Sequence, residues 1–136
     1  MTSRRKARTA VLQALYESDC TGHELLSAID RTIEEQSLSK DAVSFAQQLA
    51  RGIEQNQSQI DDLIQKFAPN YPVSQLALID RAILRLAIYE MVVVRQVSVK
   101  VAINEAVELA KSFGSENSSK FINGVLGSVS SVVSET

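Results

Sequence analysis

The sequence predicts an all-α fold: a seven-helix bundle in two subdomains, about residues 1–70 and 71–136, around a central buried helix. Three observations predict it. The stretch from Leu76 to Val94, LALIDRAILRLAIYEMVVV, has no Gly or Pro and is apolar in nearly every direction at about 100° per residue. A helix apolar all round is normally covered by other elements. It is too short and, with Asp80, Arg81, Arg85 and Glu90, too charged to be a good membrane span. Second, most other segments repeat their apolar residues at helical spacing. Third, two prolines, five glycines and 5% aromatic residues favour helices over short strands.

The first helix is expected over Ser3–Asp19. Ala7, Val11, Ala14, Leu15 and Ser18 make its core face, and Arg5, Arg8, Thr9, Leu12, Gln13 and Tyr16 its opposite face. Thr21-Gly22-His23-Glu24 reads as a capping box, in which Thr21 accepts from the Glu24 amide. A second helix follows to about Glu35, burying Leu25 or Leu26, Ile29 and Ile33. Ser39 is the next N-cap candidate, and Ala42, Phe45, Ala46, Leu49 and Ile53 follow in phase. The pattern fades near Asn56 and resumes at Ile60, Leu63, Ile64 and Phe67, so this is one bent helix or two. Pro69-Asn70-Tyr71-Pro72 stops it and marks the subdomain boundary.

After the central helix, Ser98 caps a helix expected to end at a left-handed Gly114, with Val99, Ala102, Ala106, Leu109 and Phe113 buried. The last helix starts near Ser118, with Phe121, Ile122, Val125, Leu126, Val129 and Val133 on its apolar side. Gly124 and Gly127 each lower helix propensity by roughly 1 kcal/mol, which points to a close backbone approach.

The totals narrow the function. At 136 residues the chain can bury a real core. A net charge of −2 gives no global field for nucleic acid or anionic lipid, so any such site is a local patch. One cysteine, Cys20, forms no internal disulfide and fits a reducing cytoplasm. The basic start is followed by no apolar stretch, so a secretory signal is not expected. His23 and Cys20 alone make no metal site or nucleophile pair, and no phosphate-binding glycine motif occurs. Neither catalytic residues, metal nor cofactor is expected. Asp61 and Asp62 point about 100° apart and read as surface charges. Glu105, Glu108 and Lys111 read as local surface pairs.

Three places invite a partner. Arg4, Arg5, Lys6 and Arg8 crowd the positive end of the first helix dipole, where stability alone would place acids. Gln13 adds a hydrogen-bonding group and Tyr16 a flat ring, which together suit single-stranded RNA. Four-residue basic clusters are common, so on the residues alone a solvated helix start is the better reading. The loop Gly114–Lys120 offers Asn117, Lys120 and a helix N-terminus, which can bind phosphate or merely be capped. On the central helix, Arg85 and Glu90 are expected inside the fold, Arg85 with Glu105, Glu108 or Glu90 as its carboxylate. Asp80 and Arg81, near the helix start, are expected at the surface.

Three stretches carry a resemblance: RRKARTAVLQALY at 4 to 16, IDRAILRLAIYE at 79 to 90, and KVAINEAVELAKSFGSENSSKFINGVLG at 100 to 127. They make the chain resemble the bacterial NusB family of transcription antitermination factors over essentially its full length. The resemblance implies an all-α NusB-like fold and RNA binding without catalysis. It implies a complex with NusE, a small-subunit ribosomal protein, that holds boxA-type single-stranded RNA in nascent ribosomal transcripts and helps RNA polymerase resist termination. Carried onto this chain, the RNA-binding residues are Arg4, Arg5, Lys6, Arg8, Tyr16, Asn117, Lys120 and Phe121, to which the helical face adds Gln13, and the NusE side has Asp80, to which its place near the helix start adds Arg81. Family members often have an acid where this chain has Asn117. The resemblance reverses the order of the two readings of the basic cluster. Two other classes remain open: an accessory domain like that of some ribosomal RNA cytosine methyltransferases, and an interaction module that self-associates as a homodimer.

Overall fold

The computed structural model describes residues 2–70 and 72–133. Within them the chain forms seven α-helices: α1 Ser3–Thr21, α2 Leu25–Gln36, α3 Lys40–Gln55, α4 Gln57–Phe67, α5 Leu78–Ile88, α6 Val99–Phe113 and α7 Ser118–Val132. A single 3-10 turn, Val73–Gln75, precedes α5, and a π-helical segment, Tyr89–Val94, continues it. No described residue lies in a strand.

The chain divides into two compact units, Met1–Gln55 and Asn56–Thr136. The division falls between α3 and α4 and not near residue 70, because α4 packs on α5 and α7. Asn56 (φ −115°) breaks the helical phase between α3 and α4, so the apolar pattern belongs to two helices and not one. Pro69 and Pro72 still follow the end of α4, and Tyr71 lies outside the described residues.

In the first unit α1, α2 and α3 pack on one another. Thr2 caps α1, accepting from the Arg5 amide at 3.1 Å. Ala7, Ala10, Val11, Ala14 and Leu15 are buried as expected, and Ser18 is half-buried. Leu12 and Arg8 are buried too, against the expected assignment to the open face. They lie on a flank of α1 between its core and its outer strip, and α1 is covered by two neighbours.

The expected capping box at Thr21 does not form. Thr21 is still inside α1: its hydroxyl donates to the Glu17 carbonyl at 2.7 Å and accepts from the His23 amide at 3.1 Å. The turn is made by Gly22, at φ 77°, whose N–H closes α1 on the Ser18 carbonyl. Glu24 takes the N-cap position of α2 without a side-chain cap. The tip is tied instead by Glu17, which accepts from Arg31 on α2 at 2.5 Å and faces His23 Nδ1 at 3.0 Å. The His23 hydrogen bond, with the Arg31 charge assisting, holds the Glu17 carboxyl below the ordinary range against an opposing effect of burial. Ser39 does cap α3, accepting from the Ala42 amide at 3.2 Å. Ala42, Phe45, Ala46, Leu49 and Ile53 are buried as the spacing predicts.

In the second unit α5 packs on α4, α6 and α7, and residues 82–91 are all buried. Its charged residues are resolved differently from expectation. Arg85 is held by Asp61 on α4 through two bonds, Nε to Oδ1 and Nη2 to Oδ2, each 2.9 Å. Asp61 was not among the carboxylates expected for Arg85, and its tie to α5 gives it a role in the fold that its reading as a surface charge missed. A bidentate fork of this kind satisfies both groups where an isolated buried guanidinium would be costly. Glu90 is buried, as expected of a residue that belongs to the fold. Lys111 and Glu108 form a surface pair at 3.3 Å that contributes little.

The close approach expected at the glycines of α7 is not found among the described residues. Gly124 and Gly127 are exposed, and a Cβ added at either would meet nothing within 4 Å. No close approach requires them. Gly124→Ala is therefore expected to raise stability by about 0.5–1 kcal/mol, seen as a higher urea midpoint. A lower midpoint would contradict the open face. Phe113, expected in the buried stripe of α6, is 41% exposed, since it stands at the last residue of that helix.

Candidate nucleic-acid interface

The outer strip of α1 collects three of the residues expected to meet RNA. On a helix, Lys6, Gln13 and Tyr16 fall within about 80° of one another. All three are exposed, and Tyr16 is 44% exposed, unusual for an aromatic side chain. Arg4 is exposed and Arg5 is half-buried. The first turn holds no acid to offset these cations. Both the helix dipole and mutual repulsion oppose such an arrangement, so an anion placed here gains from all of them.

Arg8 stands apart. It is only 4% exposed, and its guanidinium carbon lies 5.3 Å from the centroid of the Phe45 ring. It is a packing residue of the α1–α3 contact and cannot reach outward as Lys6 does. Arg4 is also over that ring, at 4.4 Å. Phe45 was visible in the sequence only as a core residue of α3, since apolar periodicity does not show which cations rest on a ring.

Two further features organise the strip. The Gln13 amide oxygen accepts from the side chain of Gln36 at the end of α2. The neighbouring Cys20 side chain, one turn on, holds the Tyr16 phenol above its ordinary pKa. Tyr16 is thus a neutral, flat, partly open ring at neutral pH, able to stack on a base. His23 and Cys20 are both exposed, and the described residues hold no cluster of three or more side chains suited to a metal.

The second unit supplies the other expected residues at the start of α7. Asn117 and Lys120 are exposed and Phe121 is half-buried. Asn117 occupies the N-cap position without a side-chain cap, which leaves its amide open to a ligand. The loop before it is set by Ser118, 1% exposed, whose hydroxyl accepts from the Ser115 amide at 2.9 Å. Gly114 permits that bend through close approach and not through a left-handed turn. Its backbone is extended (φ −89°, ψ −176°), and a Cβ there would stand 2.5 Å from the Ser118 Cβ and 2.8 Å from the Ala110 oxygen.

Asp80 and Arg81, expected at the surface, are half-buried in the first turn of α5. Arg81 Nη1 donates to the Val73 carbonyl at 3.4 Å. Asp80 Oδ1 is buried and has no hydrogen-bond partner among the described residues. An acid here is favoured by the helix dipole, but an unsatisfied buried carboxylate oxygen is costly.

Comparison with known proteins adds to this geometry. The family model described as the NusB family matches residues 5–131. The chain is 50% identical over 135 residues to the transcription antitermination protein NusB of Dehalococcoides mccartyi strain CBDB1, covering 99% of this chain and 94% of that protein. The solved structure of T. maritima NusB is similar with a TM-score of 0.90 at 36% identity, covering 97% of this chain and 93% of that one. A chain in the crystal structure of the antitermination factors NusB and NusE in complex with dsRNA has a TM-score of 0.87 at 27% identity, covering 95% of this chain and 96% of that one.

Proposed function

This chain belongs to the NusB family, and we propose that, as a transcription antitermination factor, it holds boxA-type single-stranded RNA of nascent ribosomal transcripts together with NusE. The observation that carries the reading is the exposed polar surface of α1: Lys6, Gln13 and Tyr16 on its outer strip and Arg4 in its first turn, which holds no acid. Lys6 and Arg4 contact phosphates, Tyr16 stacks on a base, and Gln13 reads an edge. Arg5, half-buried, lends its charge from the side. Asn117, Lys120 and Phe121 form the second RNA-contacting group. The structure of NusB and NusE with dsRNA, to which the chain is similar, supports RNA and NusE as the partners.

Asp80 and Arg81 form the NusE side. The Asp80 carboxylate, whose buried Oδ1 has no hydrogen-bond partner among the described residues, supports a role for this half-buried helix start beyond simple capping. The protein works by binding, without catalysis or cofactor, in the cytoplasm where transcripts emerge, and the bound pair joins the elongating polymerase. Self-association into a homodimer through the RNA face would compete with RNA, so RNA would shift such a dimer to monomer in a sizing experiment.

Asn117 tunes the affinity. An amide repels phosphate less than a carboxylate and can bond a base edge. Asn117→Asp is expected to weaken RNA binding several-fold, measured by fluorescence anisotropy; equal or tighter binding would contradict this. The function itself is tested by transcription through a terminator placed after a boxA element. Added protein and NusE should raise read-through on that template and not on one with a scrambled element. Equal read-through on both templates would refute the boxA assignment.

A further inference from the structure

Two guanidinium groups share one ring in the first unit. Arg4 Cζ lies 4.4 Å and Arg8 Cζ 5.3 Å from the centroid of Phe45. The two arginines stand one helical turn apart on α1, a spacing at which like charges repel. The negative face of the aromatic ring offsets that repulsion. Their surroundings then differ. Arg8 is buried and Phe45 is 8% exposed, while Arg4 reaches solvent. The Ser3 and Ser39 hydroxyls, 3.5 Å apart, meet at the same end of α1 and the start of α3.

From this geometry we infer that Phe45 is a positioning residue for RNA: it holds the Arg4 guanidinium by its face and leaves the in-plane N–H donors available to a phosphate. The inference rests on the RNA-binding reading above and adds a residue that touches no RNA. A free arginine loses much rotamer freedom when it binds, and docking it beforehand on a fixed ring removes part of that cost. Stacking uses the guanidinium face, and phosphate recognition uses its edge, so the two do not compete. Arg8, buried beside the same ring, fixes the ring without meeting the ligand.

The test is a double-mutant cycle on the full chain. A fluorescein-labelled boxA-type RNA oligonucleotide is titrated into the parent, Arg4→Ala, Phe45→Leu and the double variant at several salt concentrations. Phe45→Leu is expected to weaken binding by roughly threefold to tenfold. Arg4→Ala should then cost clearly less in the Phe45→Leu background than in the parent. Phe45→Tyr, which keeps the ring, should bind as the parent does. Thermal melting by circular dichroism confirms folding, and Phe45→Met serves in place of Phe45→Leu should the latter unfold. An equal cost of Arg4→Ala in both backgrounds overturns the positioning role and leaves RNA binding intact. No effect of Arg4→Ala in a parent that does bind RNA also overturns it. A parent that binds no RNA at all refutes the RNA-binding reading itself, and the inference with it.

Discussion

Asp61→Ala is expected to destabilise the protein by about 3 kcal/mol, at the lower end of the roughly 3–5 kcal/mol typical for removing one partner of a buried ion pair. The lower end applies because the Asp61 side chain is 26% exposed, while that of Arg85 is 6% exposed. Losing Asp61 leaves the more deeply buried charge without its two-pronged carboxylate. The reverse change is milder. Arg85→Met keeps the apolar stem and frees an aspartate that water can reach, so about 1–2 kcal/mol is expected. Urea unfolding followed by circular dichroism gives both values. Equal losses would contradict the asymmetry drawn from the two burials, and an Asp61→Ala midpoint unchanged from the parent would contradict the pairing of α4 with α5.

The largest functional effect is expected from Arg4→Ala combined with Lys6→Ala. Each phosphate contact on a single strand contributes about 0.7 to the slope of log affinity against log salt. Losing two should flatten the slope by about 1.4 and lower affinity about tenfold or more at low salt. The fold should survive, because both side chains are exposed. Lys6 gives up an unfavourable place at the helix dipole and Arg4 a stack on Phe45, a net change under about 1 kcal/mol. Arg8 is left unchanged because its burial would mix a folding defect with a binding one. An unaltered slope would place the phosphate contacts elsewhere.

The helices themselves were legible because apolar side chains repeat at the helical period. Ala42, Phe45, Ala46, Leu49 and Ile53 are buried where that period puts them. So is most of the Leu76–Val94 stretch. Long-range pairings were not legible. Asp61 and Asp62 look alike in sequence, yet only the packing of α4 on α5 brings one of them to Arg85, 24 residues away. Arg8 and Leu12 were assigned to the open face because helical angle alone does not say how wide a face two neighbours cover. Thr21 failed as a cap because Gly22, free to take a left-handed turn, let α1 run on to Thr21.

The candidate RNA site was legible in part. The cations of the first turn and the open Tyr16 ring stand out because local physics disfavours both. Gln36 and Phe45 were not seen, since their roles depend on which residues of α1 they meet. Asp80 was read as exposed from its place near a helix start. The buried, unsatisfied oxygen is a property of the packing around it, which sequence spacing does not carry.

The most direct test of RNA recognition with NusE is a binding titration with a boxA-type RNA and a scrambled control, each with and without NusE. The boxA-type RNA should bind more tightly than the control, more tightly still with NusE present, and less tightly as salt rises. Equal affinity for the two RNAs in both conditions would contradict it.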